Sequence, residues 1–186
     1  MKNIINLFSK TFIYLSFTVL LAISSISFSQ NINQIPLRTI DGDTIYLSQI
    51  KNKKILIVNT ASKCGFTPQY ADLQKLYDTN KEHLEIIAFP TDNFMNQEFK
   101  NSEEIKTFCT KNYGVTFPIM DKIDVKGDNI HPLYQILLDG EKNGFGAIKI
   151  EWNFHKILLD ENHEIIADFP SKMSPLSKEA TKFFKK

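Results

Sequence analysis

The sequence predicts an α/β fold: a central mixed β-sheet flanked by helices, with an N-terminal β-hairpin. Three observations carry this. Two continuous apolar runs rich in β-branched residues, Ile55–Ala61 and Leu84–Phe89, enclose a segment with helical spacing. That is the pattern of buried strands joined by a helix, which implies a right-handed parallel crossover. Near the C-terminus two further apolar segments, Trp152–Leu159 and Glu164–Phe169, flank the polar turn Asp160–His163, and read as an antiparallel pair. Hydrophobic residues are 42% and charged residues 23% of the 186, which suits one packed domain.

The first residues are not part of that fold. Lys2 and Lys10 give a positive start, Thr11 to Phe28 carries no charge, and Ser27 and Ser29 are small residues with signal-peptidase spacing. The expectation is a signal peptide over residues 1–29, cleaved before Gln30, and one domain over residues 30–186. The alternative is an uncleaved membrane anchor, for which the apolar run is at the lower length limit. No cysteine lies near the cleavage site, so a lipoprotein is not expected. Loss of Lys2 and Lys10 alone leaves 20 basic against 21 acidic residues. The expected product is a near-neutral exported protein, periplasmic or secreted, where disulfides persist.

The elements follow in order. Pro36–Leu47 alternates about Asp41-Gly42-Asp43, a hairpin signal. After the first strand comes the loop Ser62–Phe66, then a helix for which Thr67 is the expected N-cap and Pro68 the first residue. Tyr70, Leu73, Leu76 and Tyr77 form its apolar stripe. Pro90 ends the second strand, and residues 91–101 are polar and irregular. Ser102-Glu103-Glu104 opens a helix carrying Ile105, Phe108 and Cys109, with Gly114 as its expected left-handed stop. Pro118–Met120 is extended. His131-Pro132 starts another helix with Leu133, Ile136 and Leu137, and Gly140–Gly146 is a loop. Ser174-Pro175 is expected to cap a last helix ending at Phe183-Phe184.

Charge and motifs exclude several functions. The full chain has net charge +1 and no basic run longer than two residues, so no nucleic-acid partner is expected. Arg38 is the single arginine, which disfavours ligand binding through guanidinium forks. Two cysteines cannot build a four-cysteine zinc site. His83, His131, His155 and His163 lack ligand spacing, and neither phosphate-binding glycine motif occurs.

Cys64 carries the chemistry. It follows a buried strand and precedes a helix, the edge where sites gather in α/β sheets. The helix start and Lys63 favour thiolate, the form that attacks a peroxide oxygen. Cys109 lies on an apolar helical stripe and by itself reads as core. The two are 45 positions apart, so they form neither a CxxC pair nor a metal-ligand pair. A structural disulfide and a reactive pair both remain open at this point.

Three segments then show a resemblance. Asn59–Tyr70 (NTASKCGFTPQY) resembles the active-site segment of the glutathione peroxidase family, Trp152–Lys156 (WNFHK) its WNFxK motif, and Phe108–Pro118 (FCTKNYGVTFP) the resolving-cysteine segment of its thioredoxin-dependent members. The likeness runs in order from about Ile35 to the C-terminus. It implies a thioredoxin-like fold and a peroxidase needing no cofactor. Cys64 is then the peroxidatic cysteine and Cys109 the resolving one. Trp152 and Asn153 match family residues whose N–H groups hydrogen-bond the sulfur. The substrate is hydrogen peroxide or an organic hydroperoxide. Cys109 favours a thioredoxin-like protein over glutathione as reductant, and the short 140–151 segment suggests a monomer.

One segment departs from the family. Phe89–Phe94 (FPTDNF) stands for FPCNQF, which puts Asn93 in place of a catalytic Gln, and Met95 replaces the following glycine. Asn93 is one methylene shorter, so Gln97 or a water is the substitute at the sulfur. On reach alone the site is expected to be slow, with Asn93→Gln raising the rate. The rival readings are a peroxide-sensing thiol protein that relays oxidation to a partner, a general disulfide oxidoreductase, and a static disulfide-bonded domain. If the pair is reactive, the helix over residues 102–112 is expected to unwind so that Cys109 reaches Cys64.

Overall fold

A computed structural model describes residues 31–184. The expected signal peptide lies outside the described residues. Strands β1 (Leu37–Arg38) and β2 (Thr44–Ile45) form the expected hairpin, pairing Leu37 with Ile45. The main sheet holds β3 (Lys54–Thr60), β4 (Leu84–Pro90), β5 (Lys156–Leu159) and β6 (Ile165–Phe169) in the order β4-β3-β5-β6. β3 runs parallel to β4 from Lys54↔Leu84 to Thr60↔Pro90, while β5 and β6 add antiparallel pairs. Helices α1 (Gln69–Asn80), α2 (Ser102–Tyr113), α3 (Pro132–Leu138) and α4 (Lys178–Thr181) complete the domain.

Alternation along β3 explains its unbroken apolar sequence. Leu56 and Val58 face a core shared with Tyr70, Leu73 and Leu76 of α1, Ile105 and Cys109 of α2, and Ala180 of α4. Ile55 and Ile57 face a second core with Leu133, Tyr134 and Leu137 of α3 and with Leu37 of the hairpin. Each of these aliphatic side chains is buried on folding, a gain of about 1.5–3 kcal/mol apiece before entropy. The extended 118–120 segment bridges Thr39 to Met120 and Ala88 to Ile119, joining hairpin and sheet.

Element ends follow the sequence with three corrections, two in helices and one in a strand. Asn101 caps α2 through a 2.8 Å bond from the Glu104 N–H, and Gly114 ends it at φ 62° with its N–H on the Thr110 carbonyl. His131 Nδ1 caps α3, with Pro132 as its first residue. Thr67, however, is not an N-cap. α1 begins at Gln69, one residue after the expected Pro68, because Thr67 bonds backward into the preceding turn. The last helix starts at Lys178, capped by Ser177 rather than Ser174. Strand β5 starts at Lys156 rather than Trp152, because Phe154 takes φ 65°, which no strand accommodates.

Candidate active site

Three loops converge at the C-terminal edge of the parallel pair. The first is the turn between β3 and α1. Thr67 Oγ1 accepts the Cys64 N–H at 3.0 Å and donates to the Ala61 carbonyl at 2.8 Å. A further bond runs from the Thr67 N–H to the Cys64 carbonyl at 3.0 Å. These bonds hold Cys64 at the mouth of the strand, 7% exposed. Its Sγ accepts the Phe66 N–H at 3.4 Å, a donor that stabilises charge on sulfur.

The second loop spans residues 91–99. It is tied to the first by the Lys63 N–H on the Gln97 carbonyl at 2.8 Å and by the Ser62 N–H on Glu98 Oε1 at 3.2 Å. Met95 and Asn96 both take left-handed conformations, and Met95, standing where the family has glycine, is 76% exposed. Lys63 directs its ammonium over the Phe99 ring, 4.1 Å from the centroid.

The third loop, residues 152–155, is clamped by Asn59. Its side chain donates to the Trp152 carbonyl at 3.1 Å and accepts the His155 N–H at 3.1 Å, while its backbone carbonyl accepts the Phe154 N–H at 2.6 Å. The clamp holds Phe154 in its positive-φ turn, and so aims Asn153 inward and leaves Trp152 half-buried against Phe94, with ring centroids 5.7 Å apart. Asn153 is fully buried, and its Nδ2 donates to Gln97 Oε1 at 3.1 Å.

The expected site residues are therefore not all equally placed. The turn of Cys64 and the turn of Trp152 and Asn153 meet through Gln97. Asn93 points elsewhere. Its Oδ1 accepts the Val125 and Lys126 N–H groups at 2.6 and 3.2 Å, and its Nδ2 donates to Asp124 at 2.7 Å. Among the described residues the hydrogen bond to the Cys64 sulfur comes from the Phe66 N–H, whereas the Gln97 side chain accepts from Asn153. Sequence reasoning missed Asn59 as the clamp and Glu98 as a buried carboxylate, 3% exposed. Both sit in segments whose sequence shows only a strand end and a polar loop.

Cys109 is fully buried on the inner face of α2, in the same core cluster as Cys64, and both cysteines are free thiols. Burial pushes its thiol up to about 11, the Glu98 charge adds to this, and the nearby Tyr70 hydroxyl opposes it. Glu98 is itself raised above the usual carboxyl range by burial, against the bonds from Ser62 and Phe99.

Fold and site together define a thioredoxin-like protein with a buried cysteine held on its first strand-to-helix turn. Comparison with known proteins makes this specific. Residues 32–138 match the family model described as glutathione peroxidase. The glutathione peroxidase homologue BsaA of Bacillus subtilis is 46% identical over 146 residues, covering 78% of this chain and 91% of that protein. The glutathione peroxidase-like peroxiredoxin gpx1 of Schizosaccharomyces pombe is 47% identical over 136 residues, covering 73% and 85%. The crystal structure of Trgpx in its apo form superposes with a TM-score of 0.63 at 31% identity, covering 84% of this chain and 97% of that one. The chain belongs to the glutathione peroxidase family.

Proposed function

We propose that the protein is a two-cysteine thiol peroxidase. The observation that carries this is the Cys64 turn. A cysteine is fixed at the sheet edge with a backbone N–H on its sulfur, on a turn whose Lys63 N–H binds the carbonyl of Gln97, the residue that also accepts from Asn153. The Cys64 thiolate attacks the terminal oxygen of a hydroperoxide. An S–O bond forms, the O–O bond breaks, and the departing alkoxide or hydroxide takes a proton to leave as alcohol or water. Cys64 is then a sulfenic acid. Cys109 attacks its sulfur, water leaves, and a Cys64–Cys109 disulfide forms. A dithiol protein of the thioredoxin type reduces the disulfide by exchange.

Two features support a protein reductant over glutathione. Cys109 is available as an internal resolving thiol, and Arg38 is engaged with Asp121 at 3.1 Å. The test is steady-state peroxide consumption with either reductant. Turnover with a thioredoxin system and little with glutathione is expected, and the reverse overturns this assignment. Turnover with neither, together with a mixed disulfide trapped in Cys109→Ser, would instead establish the sensing reading. We also read residues 1–29 as an export signal and the protein as a monomer. The mature N-terminus by mass spectrometry and the solution mass by light scattering check these.

A further inference from the structure

A chain of hydrogen bonds joins the Cys64 turn to the Trp152 turn from behind. It starts at the sulfur. The Phe66 N–H donates to Cys64 Sγ, and the Phe66 carbonyl accepts the N–H of Gln69, the first residue of α1, at 2.9 Å. The Gln69 side chain crosses to the segment after β6, where its Nε2 donates to the Ser171 carbonyl at 2.7 Å. The Ser171 hydroxyl donates in turn to the Trp152 carbonyl at 3.1 Å. Gln69 and Ser171 are both buried, so water competes little for these bonds. Phe66, Trp152 and Ser171 also line one cleft of about 250 Å³, and the chain of bonds ties its walls together. Stability does not account for this arrangement. The Trp152 carbonyl has a second donor in Asn59 Nδ2 at 3.1 Å, and the Ser171 carbonyl has one in the Lys156 ammonium at 3.4 Å. Gln69 Oε1 is buried without a partner among the described residues, which makes an amide costlier here than an apolar side chain of the same size.

The geometry points to Gln69 and Ser171 as positioning residues for the peroxide step, a strut that holds the Phe66 N–H and the Trp152–Asn153 turn at one separation. This rests on the peroxidase reading above. Neither residue touches the reacting atoms. Thr67 fixes the Cys64 turn and Asn59 fixes the Trp152 turn, each by itself. What remains to be set is the distance between them. The Cys64 turn supplies the nucleophile and its N–H donor, and the other turn supplies Trp152 and Asn153. Groups arranged about a reacting centre work only while their separations hold to a fraction of an ångström. Gln97 links the turns on one side, through its carbonyl to the Lys63 N–H and its side chain to Asn153. The Gln69–Ser171 bond links them on the other. Its two ends act as a unit, because breaking either bond of the strut releases the same separation.

The test compares reduced full-length protein with Gln69→Leu, Ser171→Ala, the double variant and Ser171→Thr. Quenched samples analysed by mass give the rate of Cys64 oxidation by hydrogen peroxide, and thermal unfolding gives the stability. Each single variant is expected to oxidise about tenfold more slowly, and the double variant no more slowly than either one, because the strut is lost only once. Gln69→Leu removes the orphaned oxygen together with the donor, so its Tm is expected to equal or exceed that of wild type. Ser171→Thr keeps the hydroxyl and is expected to react at the wild-type rate. A merely structural role would lower stability and rate together, and the losses of the two single variants would multiply in the double one. Wild-type rates in both single variants, multiplied losses in the double variant, or a Ser171→Thr protein as slow as Ser171→Ala overturn the proposal. If Ser171→Ala does not fold, Gln69→Leu decides: slower oxidation at undiminished stability supports the strut, and a normal rate or an equal loss of stability refutes it. If wild-type Cys64 itself reacts no faster than a free thiol, the peroxidase reading fails and this inference falls with it. A fast wild type beside equally fast variants removes the strut alone.

Discussion

Removing the Thr67 hydroxyl tests how the reactive turn is built. Thr67 is 5% exposed, and its Oγ1 serves the Cys64 N–H at 3.0 Å and the Ala61 carbonyl at 2.8 Å. Thr67→Val keeps the branched shape but strands both backbone groups away from water. Each orphaned group costs about 1–3 kcal/mol, and the added methyl recovers roughly 0.8 kcal/mol. The net loss is about 1–5 kcal/mol, which for a domain of this size lowers Tm by roughly 2–20 °C. Thr67→Ser keeps the hydroxyl and is expected to stay within about 1 kcal/mol of wild type. Thermal and urea unfolding of the reduced proteins measure the stability, and stopped-flow oxidation by hydrogen peroxide measures the site. A loosened turn misplaces Sγ, so the rate in Thr67→Val is expected to fall about tenfold or more. A Thr67→Val protein as stable and as reactive as wild type would refute this account of the turn.

Other predictions follow from the same geometry. Gln97→Leu removes the partner of Asn153 Nδ2 and is expected to slow Cys64 oxidation by about tenfold or more, a rise of about 1.4 kcal/mol or more in the barrier. Asn93→Gln is expected to leave that rate unchanged or lower, because the Asn93 amide already serves Asp124, Val125 and Lys126; a faster enzyme would restore Asn93 to the sulfur. Lys156 is fully buried and burial lowers its pKa to about 7. Between that pH and the unfolded value of about 10.4 the unfolded chain binds the additional proton, so this group makes stability rise with pH in that window, by up to about 1.4 kcal/mol per unit. Lys156→Met is expected to flatten that rise, and an identical slope in urea titrations at several pH values would contradict it. Hydrogen exchange over residues 102–113 is expected to be faster in the disulfide form than in the reduced form, and equal protection would mean that α2 stays wound.

Much of this was legible in the sequence because it rests on local rules. Strands β3 and β4 are continuous apolar runs, and Gly114 marks the end of α2 by needing a positive φ. The errors come from residues whose partners are distant in sequence. Trp152–His155 reads as strand because nothing local shows that Asn59, on another strand, clamps it into a turn. Thr67 and Pro68 match a helix start, yet the Thr67 hydroxyl is claimed by the Cys64 turn. The resemblance implies a place for Asn93 at the sulfur, whereas its bonds run to residues 124–126. Glu98 gave no signal, since a carboxylate in a polar loop reads as solvated. Only the convergence of the loops buries it.

The central claim is that Cys64 and Cys109 work in sequence on a peroxide. Intact mass of the reduced protein after about one equivalent of hydroperoxide tests it most directly, beside Cys64→Ser and Cys109→Ser. The account predicts rapid loss of two hydrogens in wild type, a single added oxygen in Cys109→Ser, and no reaction in Cys64→Ser. Wild-type protein that reacts no faster than a free thiol, or a Cys64→Ser protein that is oxidised as readily, would contradict it.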